Sequence, residues 1–462
     1  MFWFITVSLV LALLGIAGPV ATERASLPPP PLQRPDFTSA VAPLLHASCA
    51  VCHRPGGQAP FALLSYDDAR AHAEEIRSAV SSRRMPPWSA MAASGYPDLL
   101  HDPRLTGRQM STIVSWIDAG TPAGNISKPA FPPSFPASWM LGVPDLTLSL
   151  PRAMSLPPDT SARVFNVVLY MNFPTDRWIT AIDYQPSSHG LLSHAVIFAA
   201  PAALNVDDED VLPGFAGLAA TGTGASIGQR LAEVDRSLEP MGVWTPYARV
   251  WPAPDRTALR LPKGTNLVIQ FHARPTDTGA IEDGTVAVYF SKTAPETSLT
   301  SLQVPSSLGI VAGLDIPAGE PRAVFKEELT LPIDVTVFGA RGHAHELGKD
   351  LKLTARLPNG SLRGLLWIDR WDTRWQQSYY FAAPIKLPKG TKIQVEIAYD
   401  NSPANSRNPS SPPRRVVWGP GLGAEVSAMD LIIATPAPAD AAVLASARTA
   451  RFREQLLKTI LK

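Results

Sequence analysis

The spacing of apolar residues along the chain changes near residue 140. Before that point, three stretches repeat at the helical period. DFTSAVAPLLHASCAVCH has apolar residues at Val41, Leu44 and Leu45. SYDDARAHAEEIRSAVSS opens with Ser65 and Asp67 as capping candidates and runs without Gly or Pro. LTGRQMSTIVSWIDAG begins at Thr106, sets Met110, Ile113, Val114 and Ile117 on one side, and stops at Gly120. Together they predict a small all-α domain over 37–124. After 140 the period becomes two. PDLTLSLP, RVFNVVLYMNF, WITAIDYQP, HAVIFAAP, NLVIQFHA, GTVAVYFS, DVTVFGARGHAHEL, LKLTARLPNG and KIQVEIAYDN read as strands parted by Pro and Gly turns. They predict an antiparallel β-region of sandwich or jelly-roll type. The turn LPKGT followed by an alternating strand occurs at Leu261 and again at Leu387. That echo predicts two similar all-β domains, 140–300 and 301–436, and aligns His272 of the first copy with Ala398 of the second.

The other segments are connectors and ends. Pro-rich linkers fall at 25–36 and 125–139, and 437–462 reads as a basic terminal helix packed on the body. Phe2 to Ala21 carry no charge, so 1–24 is expected to be a signal peptide or an N-terminal anchor, and the protein periplasmic or otherwise exported. Membrane contact would come only through that segment if it is retained. A formal net charge of +1 and the lack of a basic stripe argue against nucleic acid as a partner. The 47 prolines favour β-rich domains with extended connectors over helical bundles. Both cysteines, Cys49 and Cys52, lie in one short motif, which leaves no long-range disulfide and turns attention to what that motif does.

CAVCH, residues 49–53, fits C-x-x-C-H, the attachment pattern of c-type haem. Two thiols three residues apart can bridge the vinyl groups while His53 ligates iron from one side. A redox dithiol and half a zinc site are the other readings; no second cysteine pair exists for zinc. Met85 in RRMPPW, on a loop stiffened by Pro86 and Pro87, is a sensible second iron ligand. The segment resembles bacterial cytochrome c domains in carrying CHRPGG, then a helix, then MPPW, then a final helix with WIDAG. The resemblance implies a small all-α cytochrome c-like haem domain.

The chain has nine histidines. His343 and His345 stand one residue apart in a strand pattern, so they share a face. Such a pair chelates a metal or simply faces water. His194 and His272 lie in other strands, and His189 precedes His194. The region resembles the type II, ascorbate-dependent copper monooxygenases, the group of peptidylglycine α-hydroxylating monooxygenase and dopamine β-monooxygenase, which have two β-sandwich domains with one copper each. GHAHELGK matches their H-x-H strand and EVSAMDLII the segment with a methionine ligand, which implies a catalytic copper at His343, His345 and Met429. LVIQFHARPTDTG and SHAVIFAAP match the strands of the electron-transfer copper, which implies His194 and His272, with His189 as a possible third ligand. Ser193 departs from the pattern, since the family has a histidine there. The resemblance implies hydroxylation of a C–H bond with O2 on an unknown organic substrate, electrons arriving from a periplasmic donor through the fused haem. The alternative is a non-catalytic electron-transfer or copper-binding haem protein on the same scaffold. A third reading, a cytochrome fused to adhesion or sugar-binding domains, implies no copper.

Overall fold

The computed structural model describes residues 34–57, 59–125, 131, 133–135, 139–156, 158, 163–188, 190–202, 239–246, 248–274, 276–305, 313–419, 424–437 and 439–460. The expected signal segment or anchor (1–24), most of both linkers and His189 lie outside the described residues. Among the described residues no helix is long and apolar enough to cross a membrane.

Two β-sandwiches of the same design follow one another. In the first, β1 (Leu146–Ser149), β4 (Arg177–Gln185), β7 (Thr257–Leu261) and β10 (Thr285–Phe290) form a sheet in the order β1-β10-β4-β7. It faces β3 (Arg163–Leu169), β5 (Leu192–Pro201), β6 (Glu239–Trp244) and β8 (Thr265–Ala273), ordered β3-β8-β5-β6. In the second, β11 (Thr297–Val304), β14 (Val335–His343), β17 (Tyr379–Leu387) and β20 (Ala428–Ala434) run in the order β11-β20-β14-β17. Their partners are β13 (Ala323–Thr330), β15 (Gly348–Arg356), β16 (Leu362–Ile368) and β18 (Lys392–Tyr399), ordered β13-β18-β15-β16. Short ladders pair β2 (Met154–Leu156) with β9 (Ala280–Glu282) and β12 (Asp315–Ile316) with β19 (Val416–Val417). Each sandwich closes on its own core. Ile197, Ile269 and Phe271 meet Val286 and Val288 in the first, and Val337, Leu431 and Ile433 meet Leu353, Val395 and Ile397 in the second.

The LPKGT echo survives as local chemistry. In both turns the threonine hydroxyl donates to the proline carbonyl, Thr265 to Pro262 at 2.6 Å and Thr391 to Pro388 at 2.7 Å. In both, the lysine amide donates to an aspartate before an upstream strand, Lys263 to Asp176 and Lys389 to Asp334. The two halves are nevertheless not separate bodies. β11 pairs in parallel with β7 (Thr297↔Thr257 to Leu299↔Leu259) and antiparallel with β20 (Thr300↔Ile433 to Val304↔Met429), so one eight-stranded sheet runs through both.

The expected free-standing all-α cytochrome c-like domain does not hold: the chain is mostly β, and its N-terminal part is not an all-α unit. A π turn (Phe37–Val41) runs into α1 (Ala42–Ser48), and α2 (Tyr66–Ala71), α3 (Ala73–Ser81) and α4 (Gly107–Asp118) follow, none longer than 12 residues. Ser65 and Thr106 do cap α2 and α4, each in a reciprocal box with the residue three further on. The expected single helix through 65–82 is broken at His72, whose backbone is not helical. Leu45, Ile76, Val80, Ile113 and Trp116 form a small core.

Between α3 and α4, residues 82–106 form an irregular strap laid on the second sandwich. Met91 donates to the Trp367 carbonyl at 2.8 Å, Leu100 to that of Tyr380 at 2.8 Å, and Trp88 and Ala90 sit in the sandwich core. Periodicity mistook this because it counts helices and is blind to which core an unperiodic, Pro-broken stretch joins. The helix α5 (Asp440–Ile460) places Leu444 in the core of the second sandwich and pairs Arg451 with Glu327.

Candidate metal centre

Residues of β5 alternate between two buried faces. Ala195, Ile197 and Ala199 point into the first core, while Val196, Phe198 and Ala200 point out of it, against Ala428 of β20. The run AVIFAA is apolar throughout because both faces are covered. His194 takes the outward face. His272 stands directly opposite it on β8, and the two imidazoles stack at 4.0 Å between centroids. This face is the seam with the second half.

From that half, β14 delivers its last residue, His343, to the same seam. Its ring lies 5.2 Å from that of His194 and 5.6 Å from that of His345, which follows the strand end. The four histidines expected at two separate coppers therefore meet in one cluster. A water-facing pair is ruled out for His343, which is fully buried. Met429 is not brought to them. It pairs with Gly342, whereas His343 pairs with Ala428. Opposite residues share a face and neighbours alternate, so Met429 points into the second core, its Cε near the site a Gly342 Cβ would take.

Burial holds all four imidazoles below their ordinary pKa, His343 at about 3 and His194 and His272 well below, with the neighbouring histidines adding to the shift at His194, His272 and His343. Neutral imidazole is the ligating form. The second atoms of the rings are spoken for. His343 Nδ1 donates to Gln376 Oε1 at 2.5 Å and His345 Nδ1 to the Ala424 carbonyl at 2.9 Å. An oxygen of either kind only accepts here, so each ring carries its proton on Nδ1 and presents a bare Nε2. His272 differs: its Nε2 donates to Gln270 Oε1 at 3.3 Å, and Gln270 donates on to Asn166 Oδ1 at 3.1 Å. The buried Nε2 of His194 has no hydrogen-bond partner. An orphaned imidazole nitrogen amid three others suits a borderline transition ion such as copper or zinc. Among the described residues no three such donors already surround a common point, so the rings must turn to take an ion.

Buried Glu425 braces the turn after His343. Its carboxylate accepts from the amides of His345 (2.7 Å) and Leu347 (2.6 Å), and burial raises its pKa to about 8. Gln376 and Glu425 went unforeseen, since nothing about RWQQSYY or GAEVSAMD sets these residues apart. Gln376 also lines a cleft of about 60 Å³ with Trp244, Arg249, Trp251 and Tyr380. The Arg249 guanidinium lies over the Trp251 ring at 4.1 Å.

Arg249, which lines that cleft, also acts electrostatically on Cys52 of the CAVCH segment. Cys49 ends α1, and His53 donates its amide to the Cys49 carbonyl at 2.9 Å. Neither thiol is in a disulfide, and burial pushes Cys49 up to about 12. Gly57 is required here, since a Cβ would lie 2.1 Å from the Cys52 carbonyl oxygen. His53 Nδ1 donates to the Phe61 carbonyl at 3.1 Å, which leaves Nε2 as the donor an iron would take. Met85 is half-buried at the head of the strap. His72 stacks on Phe61 at 3.8 Å, and His46 bonds the Leu64 carbonyl, so both have structural partners.

No family model matches this chain. No curated protein matches it either. Similar solved structures include the VP2 subviral particle of infectious bursal disease virus, at 10% identity, covering 65% of this chain and 75% of that one with a TM-score of 0.17. Another is a peptide-N(4)-(N-acetyl-β-D-glucosaminyl) asparagine amidase, at 10% identity, covering 63% and 91% with a TM-score of 0.21. Scores this low carry no argument about fold or function.

Proposed function

We propose that the histidine seam holds copper and that the chain is a copper-dependent monooxygenase, hydroxylating a C–H bond of an organic substrate with O2. Electrons would come from a periplasmic donor through a c-type haem held by Cys49, Cys52 and His53, with Met85 as second iron ligand. One observation carries the reading: His194, His272, His343 and His345, from two halves of the chain, meet at one buried seam. A haem motif in the same chain favours a redox-active ion over zinc, because zinc has no use for an electron source. When bound, the two groups supply one-electron transfer and activation of O2, which side chains cannot. Gln376 and the Ala424 carbonyl hold the His343 and His345 rings with Nε2 presented. Trp244, Trp251 and Arg249 wall the cleft through which a substrate reaches Gln376. An exported location belongs to the same proposal and rests on the uncharged N-terminal run and the haem motif.

The test is metal analysis of the exported protein, wild type beside His343→Ala and His272→Ala. We expect iron in all three, with haem absorption, and copper in the wild type alone. Iron without copper in the wild type would end the monooxygenase reading. The copper-to-protein ratio decides whether the seam takes one ion or two. Withdrawal of Met429 from the cluster favours the second reading, a non-catalytic electron-transfer protein. Oxygen consumption under reductant separates the two.

A further inference from the structure

Ser193 sits in a β-bulge. β5 and β8 pair as Leu192↔Ala273 and then His194↔His272, leaving Ser193 as the extra residue. The bulge belongs to the scaffold. In the second half β15 and β18 pair as Gly348↔Tyr399 and then Asp350↔Ala398, leaving Lys349 in the matching place. What the first half adds is the hydroxyl. Ser193 Oγ lies 2.9 Å from the carbonyl oxygen of His272 and 3.1 Å from Nδ1 of His194. A carbonyl can only accept, so the single hydroxyl proton goes to His272. The contact with His194 is then made by an Nδ1–H donating to Ser193. This relay leaves Nε2 of His194 without a proton, and that atom is the buried nitrogen with no partner.

We propose that Ser193 is a positioning residue that sets the tautomer and the ring orientation of His194, so that the seam offers Nε2 of His194. It ties the two facing histidines together, joining the side chain of one to the backbone of the other. Where a second histidine would add a donor, the serine improves the donor already there. The inference rests on the metal reading of the seam. Partners of this kind, hydrogen-bonded to a ligating histidine, typically change metal affinity by about 10- to 100-fold.

The experiment uses the full chain labelled with ¹⁵N-histidine, its His194 signals assigned by loss in His194→Asn. In the metal-free wild type we expect a protonated Nδ1 and a bare Nε2 at His194. Ser193→Ala should give a tautomer mixture, and Ser193→Thr, which keeps the hydroxyl, the wild-type pattern. Competition for Cu(I) against bicinchoninate should show affinity about 10- to 100-fold lower in Ser193→Ala and restored in Ser193→Thr. A wild-type His194 protonated on Nε2 overturns the proposal even if the alanine variant fails to fold. So does a Ser193→Ala protein that matches the wild type in shifts and affinity. Failure of the wild type to bind Cu(I) at all sinks the copper reading and this role with it, a result distinct from loss of the serine effect alone.

Discussion

Met429 and His343 stand one register position apart on adjacent strands, and that step puts them on opposite sides of a sheet. Met429→Leu, close in volume and fully buried, should cost under about 1.5 kcal/mol in a urea melt. It should also leave copper uptake unchanged, whereas a thioether ligand would make the same substitution lower Cu(I) affinity. Asp183 shows what enclosure does to a carboxyl. Burial raises it to about 6, against the opposing hydrogen bonds from the Tyr184 amide and the Trp244 indole. A raised folded-state pKa means that its stabilising share is fully present below the unfolded value of about 3.9 and is lost as pH rises through about 6. Asp183→Asn should therefore match the wild type near pH 4 and exceed it at pH 8, by on the order of 2 kcal/mol in denaturant titrations. Equal stability at both pH values would mean that Asp183 is more solvated than its position implies.

The strap of residues 82–106 acts as an element although it has no periodicity. Its contacts are backbone hydrogen bonds to β16 and β17, with Trp88 set edge-on to Tyr379 at 4.9 Å. Gly364 in β16 makes the fit possible. A Cβ there would lie 2.7 Å from the Tyr96 ring and 2.8 Å from the Gly95 carbonyl oxygen. Gly364→Ala should cost about 1–3 kcal/mol by overpacking, and the loosened strap should be cut by trypsin after Arg83 or Arg84 well before the sandwiches are. Unchanged cleavage would show that the strap is held elsewhere. Helical spacing was legible in α1, α3 and α4 because their buried stripes are local. The strap was not, because its partners lie more than 250 residues away in the chain.

Across the whole molecule, β11 joins the two sandwiches through one continuous sheet, so they are expected to unfold together. Arg341 on β14 pairs with Asp430 on β20 at 3.1 Å, and Ser301 on β11 bonds both, all close to the shared sheet. Arg341 is 4% exposed and Asp430 is fully buried. Arg341→Leu would strand a buried carboxylate and should cost about 3–5 kcal/mol. That loss should appear as one earlier transition seen alike by tryptophan fluorescence and far-ultraviolet dichroism. Two separated transitions would mean that the halves unfold independently despite their common sheet.

The sequence by itself marked β1, β3, β4, β5, β8, β10, β14, β15 and β18, the repeated LPKGT turn and the histidines of the seam, and it missed β11, the strand that joins the two sheets. Alternation, the LPKGT turns and the rarity of histidine are all local or countable. It did not determine that the first pair of histidines meets the second. His194 and His272 face each other through β5–β8 pairing, but His343 reaches them only because β11 joins the sheets and β20 covers β5. Nor did it determine the side of Met429, since a one-residue change of register reverses every side chain of a strand. The bulge at Ser193 is of the same kind: an extra residue is visible only against a partner strand, and only there does a missing histidine become a hydroxyl set between two others.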